Sequence, residues 1–218
     1  MSMATTDPDS TPRRRYAARQ PVEVRREQIL DAAFSLVAEV GWPGTSMDRI
    51  AERAGVAKSV SYKIFGSQAE LQLALMERAQ QVTSDRVTNA IHAATEIDTM
   101  PGAVAAALHT YLESVADEPE ISRLVLLPIE GAPSNVLSAI RDGRERVRQQ
   151  IESALEHQLA RIGADGIDVE LIAHLTRDTA EALARLLLEH PETFTPERLM
   201  HSIHAIAENV GRAAGRQE

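Results

Sequence analysis

The segment "KSVSYKIF", residues 58–65, sets Lys58, Ser59, Tyr62 and Lys63 on one face if the chain is helical here. Two ammonium groups, a hydroxyl and a phenol are hydrogen-bond donors. They suit phosphates and base edges better than the making or breaking of covalent bonds. Other chemistry-bearing residues are sparse. There is no cysteine, which removes disulfides and thiolate metal or redox sites and fits a reducing cytoplasm. His201 and His204 invite a metal reading. Two ligands are too few, however, and no third is visible nearby, so they read as a polar dimer edge or an exposed face. No glutamate has a histidine three residues later, as carboxylate-bridged di-iron bundles require. A glycine-rich phosphate loop and a nucleophile elbow are also missing. The expectation is a binding protein with no metal and no cofactor, not an enzyme. Two alternatives stay open: a helical adaptor that binds only protein, and a helical-bundle enzyme.

A donor face reads nothing unless it is held rigidly. In "TSMDRIAERAG" the residues Met47, Ile50, Ala51 and Ala54 recur at helical spacing, and Thr45 with Asp48 resembles a capping box. Gly55 permits a sharp corner where a Cβ would be costly, and Val56 plugs the angle. Two helices joined by such a turn make a helix-turn-helix. Its second helix projects an outer face into a major groove about 12 Å wide. Upstream, Ile29, Ala33, Leu36, Val37 and Val40 stripe a helix from Val22 that Gly41 stops, with Trp42 plugging its end.

The charge is divided. The 218 residues carry 23 Lys/Arg and 32 Asp/Glu, a net −9. Residues 1–70 hold 10 of the basic and 9 of the acidic residues, so residues 71–218 hold 13 and 23; within 11–68 the count is 10 against 6. A basic head that meets an anion and an acidic body that does not would have this asymmetry. Apolar residues make up 44% and charged ones 25%, the profile of a globular chain. The apolar runs, such as "LVLLPI", are too short to span a membrane, and the N-terminus lacks the apolar stretch of a secretory signal.

The remainder predicts helix throughout. Ser67 caps a long segment striped by Leu71, Leu75, Ala79 and Val82 to about Ala94. Asp98 or Thr99, with Pro101, starts the next, and Pro119 to Leu127 is short, broken by Pro128 and Gly131. Ser134 is expected to cap a helix to Ile162, Asp168 to begin one to His190, and Thr195-Pro196 to start the last. The predicted fold class is all-α with about nine helices: a helix-turn-helix head of three helices and a larger helical body. The expected division is a flexible basic arm over 1–21, a DNA-binding domain over 22–68 and a ligand-binding and dimerisation domain over 69–218.

The head resembles the TetR family of bacterial transcriptional regulators. The resemblance covers about Arg25 to Leu75 and rests on "ILDAAFSLVAEVGW", "TSMDRIAERAGVAKS", Tyr62, Phe65, Ser67 and Leu71. It implies a cytoplasmic, dimeric, ligand-responsive DNA-binding regulator, a repressor released from a palindromic operator by a small molecule. DNA contacts are expected from Thr45, Ser46, Met47, Lys58, Ser59, Val60, Tyr62, Lys63 and Ser67, and from the arm residues Arg13, Arg14 and Arg15, beside Arg19. Three positions depart from the family pattern: Ser61 where leucine is usual, Ile64 where tyrosine or histidine is common, and Gln68 where lysine usually grips the backbone.

In the body, Leu108, Tyr111, Leu112, Arg123, Leu124, Leu127, Leu171, His174 and Asp178 are expected to line a ligand cavity, mostly apolar with a few polar groups. His174 and Asp178 are spaced to pair as well as to face a ligand. The body's −10 charge favours an apolar or cationic effector. The stripes Ile172, Leu175, Thr179, Leu183, Leu186 and Leu199, Ile203, Ile206, Val210 are expected to pair with their copies as a four-helix bundle in a homodimer.

Overall fold

The computed structural model describes residues 21–127 and 130–214; the arginine arm at 13–15, with Arg19, lies outside them. Among the described residues the chain is all-α, with nine helices and no strand. They are α1 (Val22–Val40), α2 (Met47–Arg53), α3 (Lys58–Phe65), α4 (Gln68–Ala94), α5 (Met100–Asp117), α6 (Pro119–Leu126), α7 (Ser134–Ile162), α8 (Val169–Glu189) and α9 (Pro196–Ala214). None of these helices is long and apolar enough to cross a membrane.

The helix starts follow local chemistry, with two corrections. Ser46, not Thr45, caps α2: its hydroxyl accepts from the Arg49 amide at 3.3 Å. Thr45 is buried and instead donates to the Gly41 carbonyl at 2.8 Å, which folds the α1–α2 loop back on the end of α1. Ser134 is the first residue of α7 and caps nothing; Pro133 precedes it. Thr99 precedes α5 but its side chain makes no cap bond, whereas three other caps use the hydroxyl or carboxylate that the sequence suggests. Ser67 accepts from the Glu70 amide, Asp168 from Leu171 and Thr195 from Arg198.

Two apolar cores divide the molecule. One joins α1, α2 and α3 to the first three turns of α4, through Leu71, Leu75, Met76 and Ala79, and takes in Leu124 of α6 and Val136 and Ile140 of α7. The other gathers α5, α8 and α9 around Leu112, Val115, Ala184, Leu187, Leu188 and Leu199. Trp42 is 4% exposed and packs in the first core, closing the end of α1. Val125 of α6 packs against both cores. Helix α6 therefore touches the head through one face and the body through the other.

Candidate functional site

Helix α3 presents Lys58, Ser59, Tyr62 and Lys63 outward, while Ser61 and Phe65 are buried and Ile64 packs on the head core. The inner residues fix its angle. Met47, Ile50, Ala51 and Ala54 of the preceding helix and turn are all buried, and Gly55 takes φ +64° at the corner, where only glycine is relaxed. Gln28 of α1 adds a tie, donating to the Ala54 carbonyl at 2.7 Å, and the Arg26 guanidinium lies over the Phe65 ring at 5.6 Å. The donor face is thus an exposed ledge on a packed support.

The family departures have structural places. Ser61 is fully buried, and its hydroxyl has no partner among the described residues. A leucine there would fill the same interior position. Ile64 faces the core and offers no donor outward. Gln68 donates to the Thr45 carbonyl at 3.1 Å, locking the start of α4 to the loop before α2.

Of the other expected DNA contacts, Ser46 and Ser67 are half-buried caps and Val60 is half-buried on α3. Thr45 and Met47 are 6% and 1% exposed, so their side chains point into the head. Arg49 is a cation that the sequence reading missed. It is exposed in the first turn of α2, beside the Ser46 cap, and its guanidinium donates to the Gly44 carbonyl.

Lys58 is already engaged. Its ammonium lies 2.7 Å from the Asp48 carboxylate and over the Tyr62 ring at 5.8 Å. The hydrogen bond to Asp48 and the attraction of its charge hold the lysine pKa above its ordinary value. A phosphate brought to the ledge would have to compete with Asp48 for this cation. Asp48→Asn removes the competitor and one negative charge beside the ledge. Duplex affinity should rise about 3- to 10-fold at low salt, and the gain should shrink as salt is added. Fluorescence anisotropy of a labelled duplex at two ionic strengths checks this; unchanged affinity at both would show that Lys58 does not meet DNA.

Behind the head, α4, α5, α7 and α8 line a half-open cavity of about 990 Å³. Helices α4 and α7 run side by side in one direction. Gln150 donates to Ser84 at 2.9 Å, and further along Gln158 and Arg161 donate to the Ile97 carbonyl. The α4 wall runs from Gln80 to Thr95, about 22 Å at helical rise, so the cavity is long. Its surface is mostly apolar, with Val87, Ile91, Leu108, Val147 and Ile151 among the lining. Polar groups also border it, among them Ser84, His92, Gln150, His157 and Arg161, and Glu181 of α8, which meets Arg144 of α7 at 3.2 Å and, outside the lining, Arg185 at 3.4 Å.

Of the expected pocket residues, Leu108 and Tyr111 line this cavity. Leu112 is fully buried in the α5–α8–α9 core, Leu127 packs against that core, and Leu124 belongs to the head core. Arg123 is half-buried and away from the lining. Leu171 is 53% exposed. His174 is half-buried off the lining, and Asp178 pairs with Arg177 at 2.6 Å, not with His174. The face of α8 turned to the cavity carries Ile172, Leu175, Thr176, Thr179 and Ala180 instead.

Three of the residues expected at the dimer interface, Ile172, Leu175 and Thr179, therefore line the cavity, though Leu175 is also 54% exposed. Leu199 is buried, Leu183 and Ile203 pack on the body core, and Leu186 is half-buried. The side chains of Ile206 and Val210 lie outside the described ones. The missed lining on α4 and α7 has a sequence signal, since Ile140, Val147, Ile151 and Ala154 follow helical spacing.

Comparison with known proteins completes the picture. Residues 29–75 match the family model described as bacterial regulatory proteins, tetR family. The HTH-type transcriptional activator FasR of Mycolicibacterium smegmatis is 44% identical over 64 residues, 29% of either chain, so the match spans under a third of that relative's length. The HTH-type transcriptional regulator BetI of Rhizobium meliloti is 27% identical over 184 residues, covering 74% of this chain and 90% of that one. Among solved structures, the regulator FadR of Bacillus subtilis in complex with stearoyl-CoA superposes with a TM-score of 0.66 at 17% identity, over 81% of this chain and 94% of that one. At that identity the likeness speaks for the fold.

Proposed function

Because this chain belongs to the TetR family of bacterial regulatory proteins, and is thus a DNA-binding transcriptional regulator and not an enzyme, we propose that it works as a dimeric repressor. Two heads grip an inverted-repeat operator, and a small apolar ligand in the body releases them. Helix α4 is the observation that carries this reading. Its N-terminal turns are part of the head core, and its later turns are the cavity wall. It starts right after the donor helix, at the Ser67 cap. At 27 residues it is a rod about 40 Å long. A ligand that shifts the wall shifts the head with it.

Two heads are needed because one short helix reads too few base pairs for genomic specificity, and a two-fold dimer doubles the site. The dimer face proposed here lies on α8 and α9; on α8, Leu171 and Leu175 are 53% and 54% exposed among the described residues. Repression asks only that the bound dimer occlude a promoter. DNA and ligand then favour different states, so each weakens the other by the same factor, typically ~5–150-fold. The cavity, the basic head and the arm at residues 13–15, whose Arg13, Arg14 and Arg15 would follow the DNA backbone, each have a part in this scheme.

Footprinting on the DNA beside the protein's own gene tests the proposal. The expected footprint is an inverted repeat overlapping the promoter, with two chains bound per site by light scattering. A protected site without a repeat, or a single chain per site, contradicts the dimer. A site upstream of the promoter that raises transcription contradicts repression.

A further inference from the structure

Gln150 differs from the other polar groups of the cavity wall. The four arginines of the lining are already engaged: Arg144 by Glu181, Arg146 by Gln80, Arg161 by Asp98 and Arg177 by Asp178. His92 and His157 are exposed, so water serves them as readily as a ligand does. The amide oxygen of Gln150 is buried and has no partner among the described residues, while its amide nitrogen donates to the Ser84 hydroxyl at 2.9 Å. Both residues line the cavity. A buried acceptor left unused is costly, and folded proteins keep few of them.

The pair sets the chemistry of what it would take. The Gln150 oxygen can accept, and the Ser84 hydroxyl, which accepts from the amide, still has its own proton to give. Exchanging the two ends of the amide reverses their bond and again leaves one donor and one acceptor. A carboxylate only accepts and an ammonium only donates, so either ion would meet half of the pair. A hydroxyl does both. Place along the wall matters as well. Ser84 is about 6 Å from Gln80 at the head end of the α4 wall and about 16 Å from Thr95 at the other, at helical rise. The longer stretch passes Val87 and Ile91.

We propose that the cavity takes an apolar molecule bearing a hydroxyl group, which donates to the Gln150 amide oxygen and accepts from Ser84, with its apolar part laid along the wall toward Thr95. This rests on the reading of the cavity as an effector site and adds the class of effector and the residues that select it. The terminal amide torsion of a glutamine is soft, so a small turn brings the buried oxygen to a group in the cavity. The pair supplies selectivity, since a site built to hydrogen-bond a hydroxyl rejects an analogue that lacks one. The apolar wall supplies affinity.

The test uses the full chain and three probes of one chain length, decanol, its methyl ether and decane, each displacing Nile red. Gln150→Met keeps the length of the side chain and removes the amide. It should weaken decanol about 3- to 10-fold, the worth of one net hydrogen bond, and leave decane unchanged. Ser84→Ala should do the same, and it carries the test should Gln150→Met fail to fold by circular dichroism. Each variant leaves one partner able to donate, so the ether, which only accepts, should keep most of its affinity in both. Decanol binding that is unchanged, or that falls no more than decane binding, overturns the role of the pair. An ether loss as large as the alcohol's overturns the hydroxyl class. If neither Nile red nor any probe binds the native protein, the effector reading of the cavity fails, and this inference with it.

Discussion

A protein carrying Tyr62→Ala and Lys63→Ala together should fold normally and bind its operator about 10- to 100-fold more weakly, measured by anisotropy against the native duplex. Both side chains are exposed on α3, so their loss costs the head no packing. Each good contact to a base edge is worth about 1–3 kcal/mol of discrimination, and a phosphate contact is lost equally on all sequences. The salt dependence tells these apart. If Lys63 meets a phosphate, the log–log slope of affinity against salt falls by roughly one and all duplexes weaken alike. If it meets a base, the native operator loses more than a scrambled one. Full operator affinity in the double variant would move the reading face elsewhere on the head, with Arg49 and Lys58 the next cations to examine.

Leu75→Ala should be the most damaging single change to the fold among those considered. Leu75 is fully buried, in the core that joins α4 to α1 and the rest of the head. Removing its side chain leaves a cavity where two parts of the molecule meet. The expected loss is about 2–5 kcal/mol, read from urea unfolding. The consequence reaches function through the same contact. Leu75 helps hold the head to the rod that carries the ligand wall, so its loss should also weaken the mutual effect of ligand and DNA. A loss below about 1 kcal/mol would mean that α4 repacks freely against α1, and coupling through a rigid rod would then be untenable.

Much of this protein is written in local pattern. The nine helices among the described residues follow apolar spacing, and α1 to α8 end at or next to a glycine, a proline or a polar residue, because helix formation depends on residues three and four apart. The ledge on α3 was legible for the same reason. Lys58, Ser59, Tyr62 and Lys63 share a face by helical geometry alone, and Ser61 and Phe65 share the opposite one. Gly55 announced the corner because few other residues accept its backbone.

What the tertiary structure decided is which face meets which neighbour. Helix α8 has leucine or isoleucine at 171, 172 and 175, and each residue is turned about 100° from the last. A stripe shows that a face is apolar and leaves open whether it covers a cavity, a core or a second chain. The packing of α7 turned Ile172 and Thr176 toward the cavity and left Leu171 outside. Leu112 and Leu124 are equally apolar, and they were drawn into the two cores because α9 and α1 lie over them. Thr45 and Ser46 carry the same hydroxyl, and only the fold of the loop from Gly41 settled which would cap α2. Tyr111 shows the same division: helical spacing placed it on the inner face of α5, and only the packing of the other helices made it part of a cavity wall.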